Sequence, residues 1–375
     1  MEWKEVKLGD ILNFRRGHDL PHSAMKPGNI PVAGSNGVIG YHDTATPIKP
    51  ILTIGRSGNV GKPYFYEEAW AHNTTLYVDD FKGNDPKFLY YLCQTMPFAN
   101  FGGGSAVPTL NRNHIHPLET KIPVKVEDQR RIASILSSLD RKIDLNNKIN
   151  ADLEEMAQAI FKNWFIDFEP FKDGKFVDSE LGMIPEGWKV GTLGDITKNK
   201  SAKVKERNDV KVLSPVTTGE LVLSEEYFTK QVFSSSIAKY KIVNKGDFAY
   251  NPARVNIGSL GRNEFDFDGC VSPVYVVFSV LDGYENYFDL FRKTDFFKDS
   301  VASLAIGGVR QSLSYDDLSS IEVIIPSENA VEEFNNLYNQ MKKTIKANKL
   351  ENSRLSLLRD TLLPRLMSGE LEVPE

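Results

Sequence analysis

Two long stretches of the chain space their apolar residues at intervals of four and three, the period of a single helix face. In residues 128–165 the stripe is Ile132, Leu136, Leu139, Ile143, Leu153, Ala157, Ile160 and Trp164, interrupted at Asn146 and Asn150. Near the end of the chain it is Phe334, Tyr338, Met341, Ile345, Leu355, Leu362 and Leu366, interrupted at Asn348, Asn352 and Arg359. The first stretch lacks glycine and proline, and a helix through it spans roughly 50 Å, more than a domain of this size needs. The stripes predict two helices paired as an antiparallel coiled coil. Pairing residues whose numbers sum to 498 sets Ile132 against Leu366, Trp164 against Phe334, Asn146 against Asn352 and Asn150 against Asn348. A slipped register buries an amide against an apolar side chain, which costs about 1–3 kcal/mol. The four asparagines are therefore read as register keys.

Outside these helices, short apolar runs such as "PILTIG" (50–55) and "PYFY" (63–66) predict strands. They are written twice. "WKEVKLGDI" from Trp3 returns as "WKVGTLGDI" from Trp188, at an offset of 185. Gly58-Asn-Val-Gly61-Lys62 with Phe65 returns as Gly258-Ser-Leu-Gly261-Arg262 with Phe265 at 200, and "GSAVPTL" returns as "GGVRQSL" at 203. The Ile122-Pro123 step answers Ile325-Pro326, also at 203. Offsets that grow early and then settle predict two copies of one α/β domain. The second copy is longer near its beginning, within residues 198–227. The recurring glycine loop reads either as a hairpin with a surface cation or as a backbone-hugging turn that brings a phosphate to Lys62 or Arg262.

With 375 residues the chain fits two or three domains. No apolar run approaches the length needed to span a bilayer, so a cytoplasmic protein is expected, and Cys93 and Cys270 suggest neither a disulfide framework nor a thiolate metal site. The 45 basic and 50 acidic side chains give a net charge of −5, with neither sign concentrated in one region. Any phosphate-binding surface must come from folding rather than from bulk charge.

Catalytic patterns are missing. "GRSGNVGKP" (55–63) has five residues between Gly55 and Gly61 where the phosphate-cradling loop has four, and Pro63 stands where a metal-binding hydroxyl belongs. "NPAR" (251–254) lacks the second proline and the aromatic of an adenine methyltransferase loop, and "DFDGC" (266–270) lacks the lysine of a magnesium nuclease. The six histidines, His18, His22, His42, His72, His114 and His116, all lie in the first copy. Asp317 and Ser319 replace His114 and His116 in the second, which argues against a shared metal site. His72 reads as a base or phosphate contact or as a half-buried imidazole. The chain is expected to bind rather than to catalyse.

The segments "GMIPEGWKVGTLGDI" (182–196), "EDQRRIASIL" (127–136) and "LLPRLMSGELEV" (362–373) resemble the specificity subunits of type I restriction-modification systems, and the resemblance covers essentially the whole chain. It implies two pseudo-symmetric α/β target-recognition domains, residues 1–126 and 188–327. They are separated by long helices in 127–170 and 328–375 that pair as an antiparallel coiled coil, with 171–187 as a linker. It also implies double-stranded DNA as ligand, read as a bipartite asymmetric site. The implied partners are two adenine-N6 methyltransferase subunits and, in a larger complex, restriction and translocase subunits. S-adenosylmethionine, ATP and magnesium then belong to the partners, with no cofactor or membrane contact in this chain. Base-reading residues differ between members of this family, so contacts are expected from side-chain chemistry alone. These are Arg56, Asn59, Lys62 and Arg112 in the first copy, with Arg15 and Arg16 as weaker candidates. In the second they are Arg254, Asn256, Arg262, Arg310, Gln311 and Ser312. The competing reading is a two-domain coiled-coil scaffold that reads no DNA.

Overall fold

The computed structural model describes residues 1–102, 109–304 and 312–374. The chain divides into two compact units, Met1–Ile149 with Ala347–Glu375, and Asn150–Lys346. In the first, β1 (Trp3–Lys7) turns through the short helix α1 (Leu8–Ile11) into β2 (Asn13–Arg16). There follow β3 (Ile30–Gly34), β4 (Gly37–His42), β5 (Ile51–Gly55), β6 (Pro63–Tyr66), β7 (Trp70–Ala71) and β8 (Thr75–Asp80). Helices α2 (Pro86–Thr95) and α3 (Arg112–Ile115) and strand β9 (Glu119–Pro123) precede the long helix α4 (Val126–Phe165). The second unit begins within α4. It continues through β10 (Phe176–Val177), β11 (Ile184–Pro185), β12 (Lys189–Thr192), α5 (Leu193–Ile196), β13 (Thr197–Lys200), β14 (Lys211–Pro215) and β15 (Leu221–Leu223). Next come α6 (Ser224–Tyr227), β16 (Lys241–Val243), β17 (Phe248–Tyr250), β18 (Leu260–Arg262), β19 (Gly269–Val271) and β20 (Val276–Val280). Helices α7 (Glu285–Phe291), α8 (Asp295–Leu304) and α9 (Tyr315–Ser319), strand β21 (Glu322–Ile325) and α10 (Glu328–Met367) close the order, and α10 ends in the first unit.

The units share one topology. Strands β2-β8-β5-β6 form a sheet in the first unit and β13-β20-β17-β18 its counterpart in the second. A smaller sheet, β4-β3-β7, corresponds to β15-β14-β19, and in both the last pair is parallel. The second unit adds β16 beside β19. The repeated Leu-Gly-Asp-Ile is the helical turn between β1 and β2 and between β12 and β13. The Lys7 amide donates to Asp10 Oδ2 at 3.2 Å and the Thr192 amide to Asp195 Oδ2 at 2.7 Å, closing each turn. Close approach favours glycine there, since a Cβ on Gly9 would sit 3.0 Å from the Cβ of His116 and one on Gly194 3.3 Å from the Ser319 carbonyl oxygen. The Ile-Pro steps end the strands that pair with the first strand of each copy, with Trp3 opposite Pro123 and Lys189 opposite Ile325.

The longer beginning of the second copy lies elsewhere than expected. Residues 43–50 join β4 to β5, whereas residues 224–247 join β15 to β17 and contain α6 and β16. The extra chain thus follows Leu223 and only touches the end of the 198–227 window. Residues 171–187 are also more than a linker: they carry the β10–β11 hairpin, and the rings of Phe168 and Phe171 lie 5.5 and 5.0 Å from that of Trp188.

Within each unit the long helices pair antiparallel. In the first, Ile132 and Leu136 of α4 share one apolar core with Leu363 and Leu366 of α10. In the second, Ala157, Phe161 and Phe165 share another with Phe334, Tyr338 and Met341, and the rings of Trp164 and Phe334 are 6.0 Å apart. Asn146 Nδ2 donates to Asn352 Oδ1 at 2.9 Å and to Glu351 Oε2 at 2.7 Å, while Asn352 donates to Asn147 Oδ1 at 2.8 Å. Arg359, the cation in the second stripe, donates to Asp140 Oδ1 at 2.8 Å; Tyr91 Oη donates to the other oxygen at 2.5 Å. That network ties α2 to both long helices of the first unit.

Candidate nucleic-acid interface

Strand polarity gathers one set of loops at one end of the sheets in each unit. In the first unit the ends of β2, β3, β5 and β7 and the starts of β4, β6 and β8 meet there. The rim is built from the residues after Arg16, the Ser35–Asn36 turn, residues 56–62 and residues 72–74. It is tightly cross-bonded. The amides of Arg56 and Ser57 donate to the Thr74 carbonyl at 2.8 and 3.2 Å, and the Leu110 amide donates to the Arg56 carbonyl at 2.7 Å. Arg56 Nη1 reaches the Asn73 carbonyl at 3.5 Å. Burial and the neighbouring Arg16 charge both lower the Arg56 pKa, so two cations share this rim. Arg15 and Arg16 are exposed at the end of β2, paired to Asp79 at 2.7 Å and Asp19 at 3.8 Å.

His72 belongs to the rim as a brace. Its Nδ1 lies 2.9 Å from Thr74 Oγ1 and accepts from the Thr74 amide at 3.4 Å. Burial lowers its pKa against a backbone hydrogen bond to Leu20 that raises it, which favours the neutral ring. His18, exposed, sits 5.5 Å from both the Trp70 and Tyr77 rings. Sequence reasoning missed this aromatic group because its members come from three strands or their ends. Among the described residues no three His, Cys, Asp or Glu side chains gather as a metal ion requires.

The phosphate-cradle reading of residues 55–62 meets committed amides. Gly55 donates to the Lys62 carbonyl and Gly61 to the Gly55 carbonyl, at 3.0 and 2.8 Å, besides the two bonds to Thr74. What the loop presents outward are side chains: Asn59 and Lys62 are exposed, with Lys62 Nζ 5.4 Å from the Tyr64 ring centre. Arg112 is exposed and its Nη1 lies 3.4 Å from the Phe14 carbonyl.

In the second unit the corresponding rim consists of residues 201–205, 216–220, 251–259 and 272–275. The Leu313 amide donates to the Pro252 carbonyl at 3.1 Å, the counterpart of the Leu110 bond. Ser259 Oγ donates to the Pro215 carbonyl at 2.8 Å, seating one loop on the other. Arg292 braces both. Its Nη1 donates to the Leu260 carbonyl at 2.8 Å, its Nη2 to the Gly219 carbonyl at 3.1 Å, and its Nε and Nη2 to Asp289 Oδ1 at 2.9 and 2.6 Å. Arg254, Asn256 and Ser312 are exposed on this rim; Arg310 and Gln311 lie outside the described residues.

Arg262 stands apart from the expectation. Strand pairing sets Phe65 opposite Leu52 in the first unit and Arg262 opposite Phe248 in the second. With the loop-closing bonds of Leu110 and Leu313 equated, Arg262 occupies the place of Phe65 and Ser259 that of Lys62. The repeated glycine pattern is therefore out of register by three residues. The Arg262 guanidinium lies 5.8 Å from the Phe248 ring centre and donates to Asn286 Oδ1 at 2.9 Å. Asn286 in turn donates to Asn335 and Asn339 of α10 at 2.9 and 3.0 Å. This cation braces the fold.

Comparison with known proteins places the architecture. Residues 1–155 match the family model described as the type I restriction modification DNA specificity domain. The MjaIX specificity subunit of a type I restriction enzyme from Methanocaldococcus jannaschii is 30% identical over 305 residues, 77% of this chain and 70% of the relative. The HindI specificity subunit of Haemophilus influenzae is 25% identical over 460 aligned positions, covering 98% and 94%. Among solved structures, the S subunit of a type I restriction-modification system from M. genitalium superposes with a TM-score of 0.65 at 16% identity, covering 98% of this chain and 96% of the other. The chain belongs to the specificity subunits of type I restriction enzymes. It is the DNA-recognition component of such an enzyme and not a catalytic one. No helix among the described residues is long and apolar enough to cross a membrane.

Proposed function

We propose that the chain reads a bipartite, asymmetric site in double-stranded DNA, one half with each loop rim. The observation that carries this reading is the repeated topology: the same strand order and the same loop-closing bond recur, while the side chains on the rims differ. A duplicated frame with unlike surfaces suits two unlike half-sites. The proposed boundaries are 1–126 and 188–327 for the reading domains and 127–170 and 328–375 for the helical segments, with 171–187 between them. The proposed contacts are Arg56, Asn59, Lys62 and Arg112 on one rim and Arg254, Asn256 and Ser312 on the other, joined by Arg310 and Gln311 from sequence. Arg262 is excluded because its guanidinium is engaged inside the unit. Asn146, Asn150, Asn348 and Asn352 keep the helices in register.

The chain also docks two adenine-N6 methyltransferase subunits, and restriction subunits in a larger complex. S-adenosylmethionine, ATP and magnesium act on those partners. Genome-wide mapping of methylated adenines in the source strain, with and without this gene, tests the reading. Loss of methylation at one interrupted, asymmetric motif is expected. An unchanged methylation map favours the scaffold instead.

A further inference from the structure

The extra chain of the second unit builds a surface that the first unit lacks. Residues 202–205 run antiparallel to residues 238–242: the Ile242 amide donates to the Ala202 carbonyl, that of Val204 to Tyr240 and that of Lys205 to Ala238, at 2.8, 2.9 and 2.9 Å. Lys203 is the bridge partner of Lys241. Val204 is buried with Val210, Tyr240 and Cys270, so the lysines on either side of it are turned outward. Lys203, Lys205 and Lys239 are all exposed, and among the described residues none forms an ion pair. Lys205 is held at a φ of 55°, a left-handed conformation that a lysine rarely adopts.

Three nearby cations are neutralised. Lys200 pairs with Asp247 at 2.7 Å, Lys245 with Asp266 at 2.7 Å, and Arg207 with Asp209 and Asp268 at 2.7 and 3.1 Å. Glu206 is the only acid in 202–207. In the first unit the cations at the end of β2, Arg15 and Arg16, both face acids. The three lysines are thus a local excess of positive charge in a protein whose net charge is −5.

Their position follows from strand polarity. β14 and β19 run parallel, and β16 runs antiparallel to β19, with Lys241 opposite Val271. Lys241 therefore lies at the end of this sheet from which residues 216–220 and 272–275 emerge, and its Nζ donates to the Tyr275 carbonyl at 2.6 Å. Lys203, Lys205 and Lys239 lie beside it, continuous with the second reading rim.

We infer that Lys203, Lys205 and Lys239 bind the phosphate backbone of the duplex next to the half-site read by the second unit, a sequence-independent anchor without a counterpart in the first. The inference rests on the proposed reading of DNA by both rims. A backbone anchor releases counterions, so the logarithm of the binding constant falls with the logarithm of salt by about 0.9 per phosphate engaged.

The test uses the full chain assembled with its methyltransferase subunits, with fluorescence anisotropy on a duplex carrying the methylated motif and on a scrambled duplex between about 50 and 200 mM salt. The triple variant Lys203→Gln, Lys205→Gln, Lys239→Gln should lower the slope by about 2 to 3 on both duplexes and leave the ratio of their affinities unchanged. The matching triple arginine variant should keep the wild-type slope. An unchanged slope in the glutamine variant, with wild-type preference for the motif intact, overturns the lysine anchor alone. A wild-type complex that shows no preference between the duplexes overturns the bipartite reading on which it rests. Weakened association with the methyltransferase in the absence of DNA, at unchanged slope, would assign the lysines to the partner and also overturn the inference.

Discussion

Replacing Arg292 by alanine tests how the loop rim of the second unit is held. The Arg292 and Asp289 side chains are 9% and 7% exposed, and the guanidinium also caps the carbonyls of Leu260 and Gly219. Removing one partner of a buried pair leaves an uncompensated charge and costs about 3–5 kcal/mol. An uncharged carbonyl left without its donor costs about 1–3 kcal/mol, less than an uncompensated charge. The carboxylate therefore dominates the loss. In the native protein burial acts to raise the Asp289 pKa, but Arg292, with Lys293 and Lys342, outweighs it and holds the carboxyl at about 2. Its stabilisation is present above the unfolded value of 3.8 and is lost as pH falls toward 2. In Arg292→Ala burial is opposed only by Lys293 and Lys342, so the folded pKa rises from its wild-type value, and the deficit against wild type shrinks as pH falls and grows as pH rises. Urea unfolding at pH 7 should show the loss, Asp289→Asn added to Arg292→Ala should recover most of it, and lowering the pH toward 4 should shrink it. Methylation should tolerate more base changes in one half-site than in the other. A deficit under about 1 kcal/mol refutes the reasoning, as does one that grows on acidification or one that the second substitution leaves unchanged.

Arg254→Ala should weaken binding to the cognate site by about 1–3 kcal/mol if the guanidinium pairs with a guanine; an equal loss on scrambled DNA would make it a phosphate contact. Replacing Asn146 and Asn352 together by leucine should raise the melting temperature, since Asn146 Oδ1 is buried without a partner, while methylated motifs with altered gaps should appear; a lower melting temperature with an unchanged gap removes the register role. The first unit should be most stable above pH 6.5 and weaken as pH falls, because burial depresses the folded pKa of His72. His72→Asn should flatten that slope and leave the part due to His116, which burial and Arg112 shift in the same direction; a slope equal to wild type would show that His72 stays uncoupled from folding.

Features that depend on neighbours along the chain were legible in the sequence. The heptad stripes, the Leu-Gly-Asp-Ile turns and the Ile-Pro steps each act through residues three to seven positions apart, so their spacing alone gives the helix pair and the duplicated frame. The same stripes set Asn146 against Asn352, because register in a helix pair follows from the period once the orientation is known. Assignments that depend on which strand pairs with which were decided only by the tertiary structure. A glycine pattern suggested that Arg262 answers Lys62, yet cross-strand pairing puts it in the place of Phe65, beside Phe248 and Asn286. The extra residues of the second copy could not be located either, because a change of offset does not show on which side of β14 and β15 the chain was lengthened. The rim contacts of Arg292 and the grouping of the three lysines gave no local signal: apart from Asp289, the partners come from segments 32 or more residues away, as with Leu260, Gly219 and Ala238. The loop rims belong to this second class. They exist because strands distant in the chain end side by side, and strand polarity is a property of the folded sheet rather than of any segment within it.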